Sequence, residues 1–175
     1  MSPEAMVEII RKGNLGPYLY HFTDSRNVPS IKQNGLLSRR ELESRKINGF
    51  IPGGNQWSLD ADIQKGVDAY VHLSFIRRPG MLHTALTEGR IQDEKVLGIL
   101  PEIILTKGVF FTNVVSNSSE ATFFTVDGFN ETNFDLQVLL DRTDWTDQAI
   151  KERLNIVKKY EILIPTMVPV EYIKF

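Results

Sequence analysis

The chain has 175 residues, a formal net charge of −2, 42% apolar side chains and 24% charged ones. This suits one globular domain over residues 1–175 with a substantial core, and it excludes a generally basic nucleic-acid coat while leaving room for a local basic groove. The absence of cysteine excludes disulfides, a thiol nucleophile and a Cys-based metal site, and His21, His72 and His83 fit no familiar zinc spacing. The longest apolar runs are too short to span a bilayer, and the acidic N-terminus has no signal-peptide core, so no membrane association and a cytoplasmic location are expected.

Ser2-Pro3-Glu4 predicts a helix start, with Met6, Val7 and Ile10 on one apolar face and Gly13 as the stop. Residues 18–22 are aromatic-rich and predict a strand. Residues 27–34 predict a short helix with Val28 and Ile31 inward and Gly35 at its end, and residues 39–47 a charged, solvated helix. Residues 49–62, with Gly53-Gly54-Asn55, lack apolar periodicity and predict a long surface loop. A strand follows over 70–75, broken at Pro79-Gly80, and then a helix over 81–88. Strands are predicted at 95–100, 109–112 and 121–125, with a Ser/Asn-rich loop over 114–120. Thr146 caps a predicted helix through about 156, and strands are predicted at 160–164 and 168–173. Helices dominate early and strands late, which favours an α+β fold with largely antiparallel sheets.

A few residues carry possible chemistry. His21 is either a partly buried histidine bonded to backbone or a ligand contact at a strand end; Thr23 shares its face because strand side chains alternate. A neutral imidazole and a hydroxyl together can hold a ribose diol. Glu161 is either a solvated edge position or a strand-borne carboxylate fixed for chemistry. Cleavage of the nicotinamide bond of NAD passes through an oxocarbenium-like state, as in glycoside hydrolysis, and a carboxylate beside that ribose can stabilise it. Arg77-Arg78 is a strand terminus or a pyrophosphate clamp. Arg39, Arg40, Arg45 and Lys46 form a solvated face or phosphate contacts for a polynucleotide. Phe50 and Trp57 pack on their own domain or stack on a base. Asp141, Asp144 and Asp147 look like a helix-start cluster; a metal site is conceivable there, but no second ligand set supports one.

Taken in order, the blocks resemble the DarT family of ADP-ribosyltransferase toxins. Leu19-Tyr20-His21-Phe22-Thr23, Asn27-Val28-Pro29-Ser30-Ile31 and Gly35-Leu36-Leu37-Ser38 are similar to its opening. Asp68-Ala69-Tyr70-Val71-His72-Leu73-Ser74-Phe75-Ile76-Arg77-Arg78-Pro79-Gly80-Met81-Leu82 is similar to its central block, and Tyr160-Glu161-Ile162-Leu163-Ile164-Pro165 to its terminal one. The resemblance implies a split antiparallel β-sandwich with an NAD cleft and N-terminal helices. It implies NAD as co-substrate without a metal, transfer to a base in single-stranded DNA, and a macrodomain antitoxin as partner. Glu161 would be catalytic; His21, Phe22 (through its backbone), Thr23, Asn27, Arg78 and Met81 would bind NAD. Ser74 stands where the family has Tyr, and Arg77 where it has Pro. The family's arginine ahead of the central strand has no counterpart between Phe50 and Ala69, where Lys65 stands alone and Arg45 is the nearest upstream candidate. A transferase acting on RNA or protein, and an inactive nucleotide-binding domain of the same fold, are the rival expectations.

Overall fold

The computed structural model describes residues 2–175. In chain order the elements are α1 (Pro3–Lys12), β1 (Leu19–Asp24), α2 (Val28–Asn34), β2 (Leu36–Leu37), α3 (Arg39–Ser44), α4 (Gln56–Lys65), β3 (Tyr70–Ser74) and α5 (Gly80–Thr87). They continue with β4 (Glu94–Ile99), β5 (Phe110–Thr112), α6 (Leu136–Leu140), α7 (Gln148–Val157), β6 (Glu161–Pro165), β7 (Met167–Val168) and β8 (Ile173–Lys174). Local chemistry sets the helix ends. Ser2 accepts the Ala5 N–H at the start of α1. Gly35, at φ 79°, ends α2 and turns the chain into β2; a Cβ there would lie 2.7 Å from the Val168 carbonyl.

A six-stranded sheet runs in the order β5-β6-β3-β1-β4-β8, and β2 pairs with β7 in a second sheet. Every ladder is antiparallel. The larger sheet is split along its middle. β1 pairs with β4 through all six of its residues, and β3 with β6 through all five. Between β1 and β3 the register has a single pair, Tyr20↔Ser74. Beyond it the strands diverge and open a cleft.

The core packs behind this sheet, against α1, α6 and α7. Phe129 lies at its centre, fully buried, with ring centroids of Phe75, Phe111 and Phe134 at 5.5, 5.2 and 4.7 Å. Tyr160 joins the group edge-on to Phe134, and its hydroxyl accepts the Asp135 N–H at 3.0 Å. That anchors the residue before Glu161. Among the described residues, no helix is long and apolar enough to cross a membrane.

Four sequence expectations need correction. The predicted loop over 49–62 contains α4: Asn55 caps it by accepting the Ser58 N–H, and Gly66 closes it in the left-handed conformation. Periodicity missed this helix because it buries no full face and leaves Trp57 exposed. The strand at 121–125 is only an isolated bridge, Phe111↔Phe124. The helix after Trp145 is capped by Asp147, whose carboxylate accepts from Ala149 and Ile150; Thr146 instead bonds Asp144. The predicted final strand, 168–173, is divided by a helical turn, Val170–Tyr172, into strands of different sheets.

Candidate active site

The cleft at the seam of the sheet is a cavity of about 820 Å³, within the range of small-molecule sites. Tyr20, His21, Phe22 and Thr23 of β1 form one wall and β3 the floor, with Glu161 opening β6 on the far side. Strand alternation explains β3: Val71 and Leu73 enter the core, while Tyr70, His72 and Ser74 face the cleft.

His21 spans the seam. Its Nδ1–H donates to the His72 carbonyl at 3.0 Å, standing in for a strand amide. That fixes the tautomer and leaves Nε2 as an acceptor. Burial pushes its pKa down to about 4, so the ring is neutral at physiological pH. Thr23 and Asn27 are linked, the Asn27 amide donating to Thr23 Oγ1 at 2.9 Å. The same amide donates to the Ile51 carbonyl at 2.8 Å and accepts the Ile51 N–H at 2.9 Å, clamping the loop before α4 to the cleft rim. Gly53 in that loop lies against Phe22, where a Cβ would come within 2.9 Å of the ring.

Glu161 is almost entirely enclosed; its side chain is 12% exposed. Its Oε2 accepts the Ser116 N–H at 2.9 Å and lies 3.7 Å from His72 Nδ1. Burial works to raise its pKa, but His72 and Ser116 outweigh it and hold the carboxylate below its usual range. Asp62, on α4, behaves in the opposite way. Burial raises its pKa, and His72 and the Asn117 amide, which donates to it at 2.9 Å, offset this only in part. Two carboxylates with pKa values pushed apart line the same cleft, the pattern that divides electrostatic from proton-transfer roles.

The cleft thus gathers His21, Phe22, Thr23, Asn27, Met81 and Glu161. It does not include Arg78, which forms a two-pronged pair with Glu94 on β4; the Arg77-Arg78 clamp is therefore not on the cavity wall. Phe50 lines the cavity, whereas Trp57 projects into solvent. Of the two expectations for Arg39, a solvated face or a phosphate contact, its place on the cavity wall departs from the first. Its Nε is bound to Glu43 at 2.9 Å, and its Nη1 is buried without a partner. His72, Asp62 and Ser116 were missed. The alternation Tyr70-Val71-His72-Leu73-Ser74 carried the signal for His72; Asp62 had none once its helix was read as loop. Among the described residues no group of three or more side chains converges on a possible metal site; Asp147 caps the helix after it, and Asp144 bonds Thr146 in the preceding turn.

Three solved structures share the fold. Thermosipho africanus DarTG in complex with ADP-ribose superposes with a TM-score of 0.67 at 23% identity, over 90% of this chain and 42% of that one. Thermus sp. 2.9 DarT in complex with ADP-ribosylated ssDNA gives a TM-score of 0.59 at 18% identity, over 89% of this chain and 78% of that one. Thermus sp. 2.9 DarT in complex with NAD+ gives 0.59 at 19% identity, with the same coverage. The chain thus spans less than half of the Thermosipho africanus protein. No curated protein matches the sequence. Residues 20–175, nearly the whole chain, match the family described as ssDNA thymidine ADP-ribosyltransferase, and the chain belongs to this DarT family.

Proposed function

We propose that the protein, a single domain over residues 1–175, transfers ADP-ribose from NAD to a thymidine base in single-stranded DNA. It would do so as the toxin of a cytoplasmic toxin–antitoxin pair whose macrodomain partner reverses the modification. The observation that carries this is the placement of Glu161. An ionised, anchored carboxylate faces the same cleft as a neutral His21 and the Thr23–Asn27 pair. In this reading His21 and Thr23 hold the nicotinamide ribose, and the Phe22 backbone, at the open seam, receives the nicotinamide amide. Met81 packs against the cofactor.

The bond between nicotinamide and the anomeric carbon breaks with its electron pair leaving on nicotinamide. Glu161 stabilises the positive charge that develops on the ribose. The acceptor base attacks the same carbon from the opposite face and loses a proton. Asp62, whose pKa is raised, is better suited to take that proton than Glu161, whose pKa is lowered. The family's arginine has no counterpart in α4; Arg39, with a free buried nitrogen on the wall, is the guanidinium available to a phosphate. The NAD+ and ADP-ribosylated ssDNA bound in the Thermus structures support this reading.

The test is incubation of the full chain with adenylate-labelled NAD and matched pools of single-stranded DNA, RNA and protein. Nicotinamide release and transfer of label to thymidine-containing DNA are expected. Label in RNA or protein alone would refute the acceptor, and no nicotinamide release would refute catalysis.

A further inference from the structure

The backbone of His72 belongs to the sheet, but its side chain takes no part in the ladder and lies beside the proposed catalytic carboxylate. The β3–β6 register pairs Ser74 with Glu161 and His72 with Leu163. His72 is therefore the diagonal neighbour of Glu161 on the same face, within reach of a long side chain. One ring nitrogen is committed: Nε2 donates to the Val67 carbonyl at 3.0 Å. The other, Nδ1, lies 3.7 Å from Glu161 Oε2 and 3.3 Å from the Ser116 hydroxyl. Resting on the assignment of Glu161 to the reacting ribose, we propose that His72 is a positioning residue. As an imidazolium it holds the Glu161 carboxylate ionised, with its second oxygen turned to the cleft.

The surroundings favour that charge state. Glu161 from β6 and Asp62 from α4 both face the ring. His21, from β1, is neutral and engages only the His72 backbone carbonyl. Arg39, from α3, acts on Asp62 and is already paired with Glu43. Burial opposes protonation of His72, but Glu161 and then Asp62 reverse it and raise the pKa to about 9. Without the imidazolium, Ser116 alone would be left to hold an enclosed carboxylate ionised, and burial would shift it towards the protonated form. A protonated Glu161 carries no charge to stabilise an oxocarbenium-like state. His72 touches neither NAD nor acceptor in this scheme; it acts through Glu161.

Two measurements on the full chain test this. In His72→Gln the amide can still donate to the Val67 carbonyl but carries no charge. The expected result is a kcat lowered about tenfold or more at neutral pH, an unchanged KM for NAD, and an acid limb of the kcat profile raised by about one unit or more. A merely structural role would not move that limb. The second measurement is proton NMR titration of the imidazole in wild type and in Glu161→Gln, which needs no turnover and decides the matter even if His72→Gln fails to fold. His72 should titrate near 9 in the wild type and clearly lower in Glu161→Gln, where burial is opposed only by Asp62 and the Val67 carbonyl. A wild-type His72 titrating at or below 6.5 would overturn the proposal. Unchanged kcat and acid limb in His72→Gln, with Glu161→Gln inactive, would overturn the role of His72 alone. Full turnover in Glu161→Gln would overturn the assignment of Glu161, and this proposal with it.

Discussion

Replacing Glu161 by Gln is the sharpest probe of the site, because the surrounding contacts decide how the new amide must sit. The Ser116 N–H points at Oε2 from 2.9 Å, so that position accepts a hydrogen bond and cannot hold an NH₂ group. The amide oxygen of Gln must therefore take it, which turns the NH₂ towards the cleft. A negative acceptor facing the ribose becomes a neutral donor, and both the charge and the lone pairs are lost. Loss of a positioned electrostatic or acid–base group costs about 10²–10⁴-fold in rate. That corresponds to about 3–5 kcal/mol on the barrier. NAD binding should change by no more than about threefold, since His21, Thr23 and Asn27 are untouched. Single-turnover transfer of label to single-stranded DNA, with nicotinamide release followed in parallel, separates the two effects. A variant with kcat within about threefold of wild type would refute the reasoning and leave Glu161 as an enclosed strand residue without a chemical role.

Other perturbations give distinct signatures. His21→Ala should raise KM for NAD by about tenfold with little change in kcat, because it removes a ground-state contact. Because the ring titrates at about 4, the wild-type KM should show no inflection near 6.5, and such an inflection assigned to His21 would contradict its neutral state. Arg39→Ala should weaken single-stranded DNA binding and flatten its salt dependence by about 0.7 for each phosphate that is no longer neutralised; an unchanged slope in a salt titration would remove Arg39 from the acceptor path. Stability should also vary with pH. His72 has a folded pKa of about 9 against 6.5 when unfolded, so its contribution is complete below 6.5 and disappears as pH rises through about 9. Thermal melts should show Tm falling across that window in wild type, and a smaller fall in Glu161→Gln.

How far the sequence disclosed the molecule depended on the kind of signal. Strands with apolar alternation or aromatic density, such as β1 and β3, were readable, as was α1 with its cap, proline and single apolar face. α4 was not, because it is fixed by a cap at each end and by the Asn117 amide on Ser58 and Asp62, and not by a buried stripe. The division of the last strand depends on which sheet Met167 and Ile173 join, a tertiary choice that no local pattern encodes. In the site, His21 and Glu161 stood out through their motifs. Arg78 stood in one too, but its partner Glu94 lies on a strand that becomes a neighbour only after folding. Asp62 comes to the cleft from a helix without a buried stripe, and Ser116 reaches Glu161 from an irregular loop; neither has a spacing relation to Glu161.

The open seam between β1 and β3 has a consequence for sequence divergence. Where a ligand is met by the strand backbone, the contact is written in the path of the chain and not in the identity of its side chains. Substitutions that preserve that path leave such a contact intact. A site built this way can keep its shape while the surrounding sequence drifts, and the Thermosipho africanus and Thermus sp. 2.9 structures are only 18% to 23% identical to this chain. The positions that cannot drift are then those that hold the two half-sheets at their fixed spacing. Here these include the imidazole of His21, which crosses the gap to the carbonyl of His72.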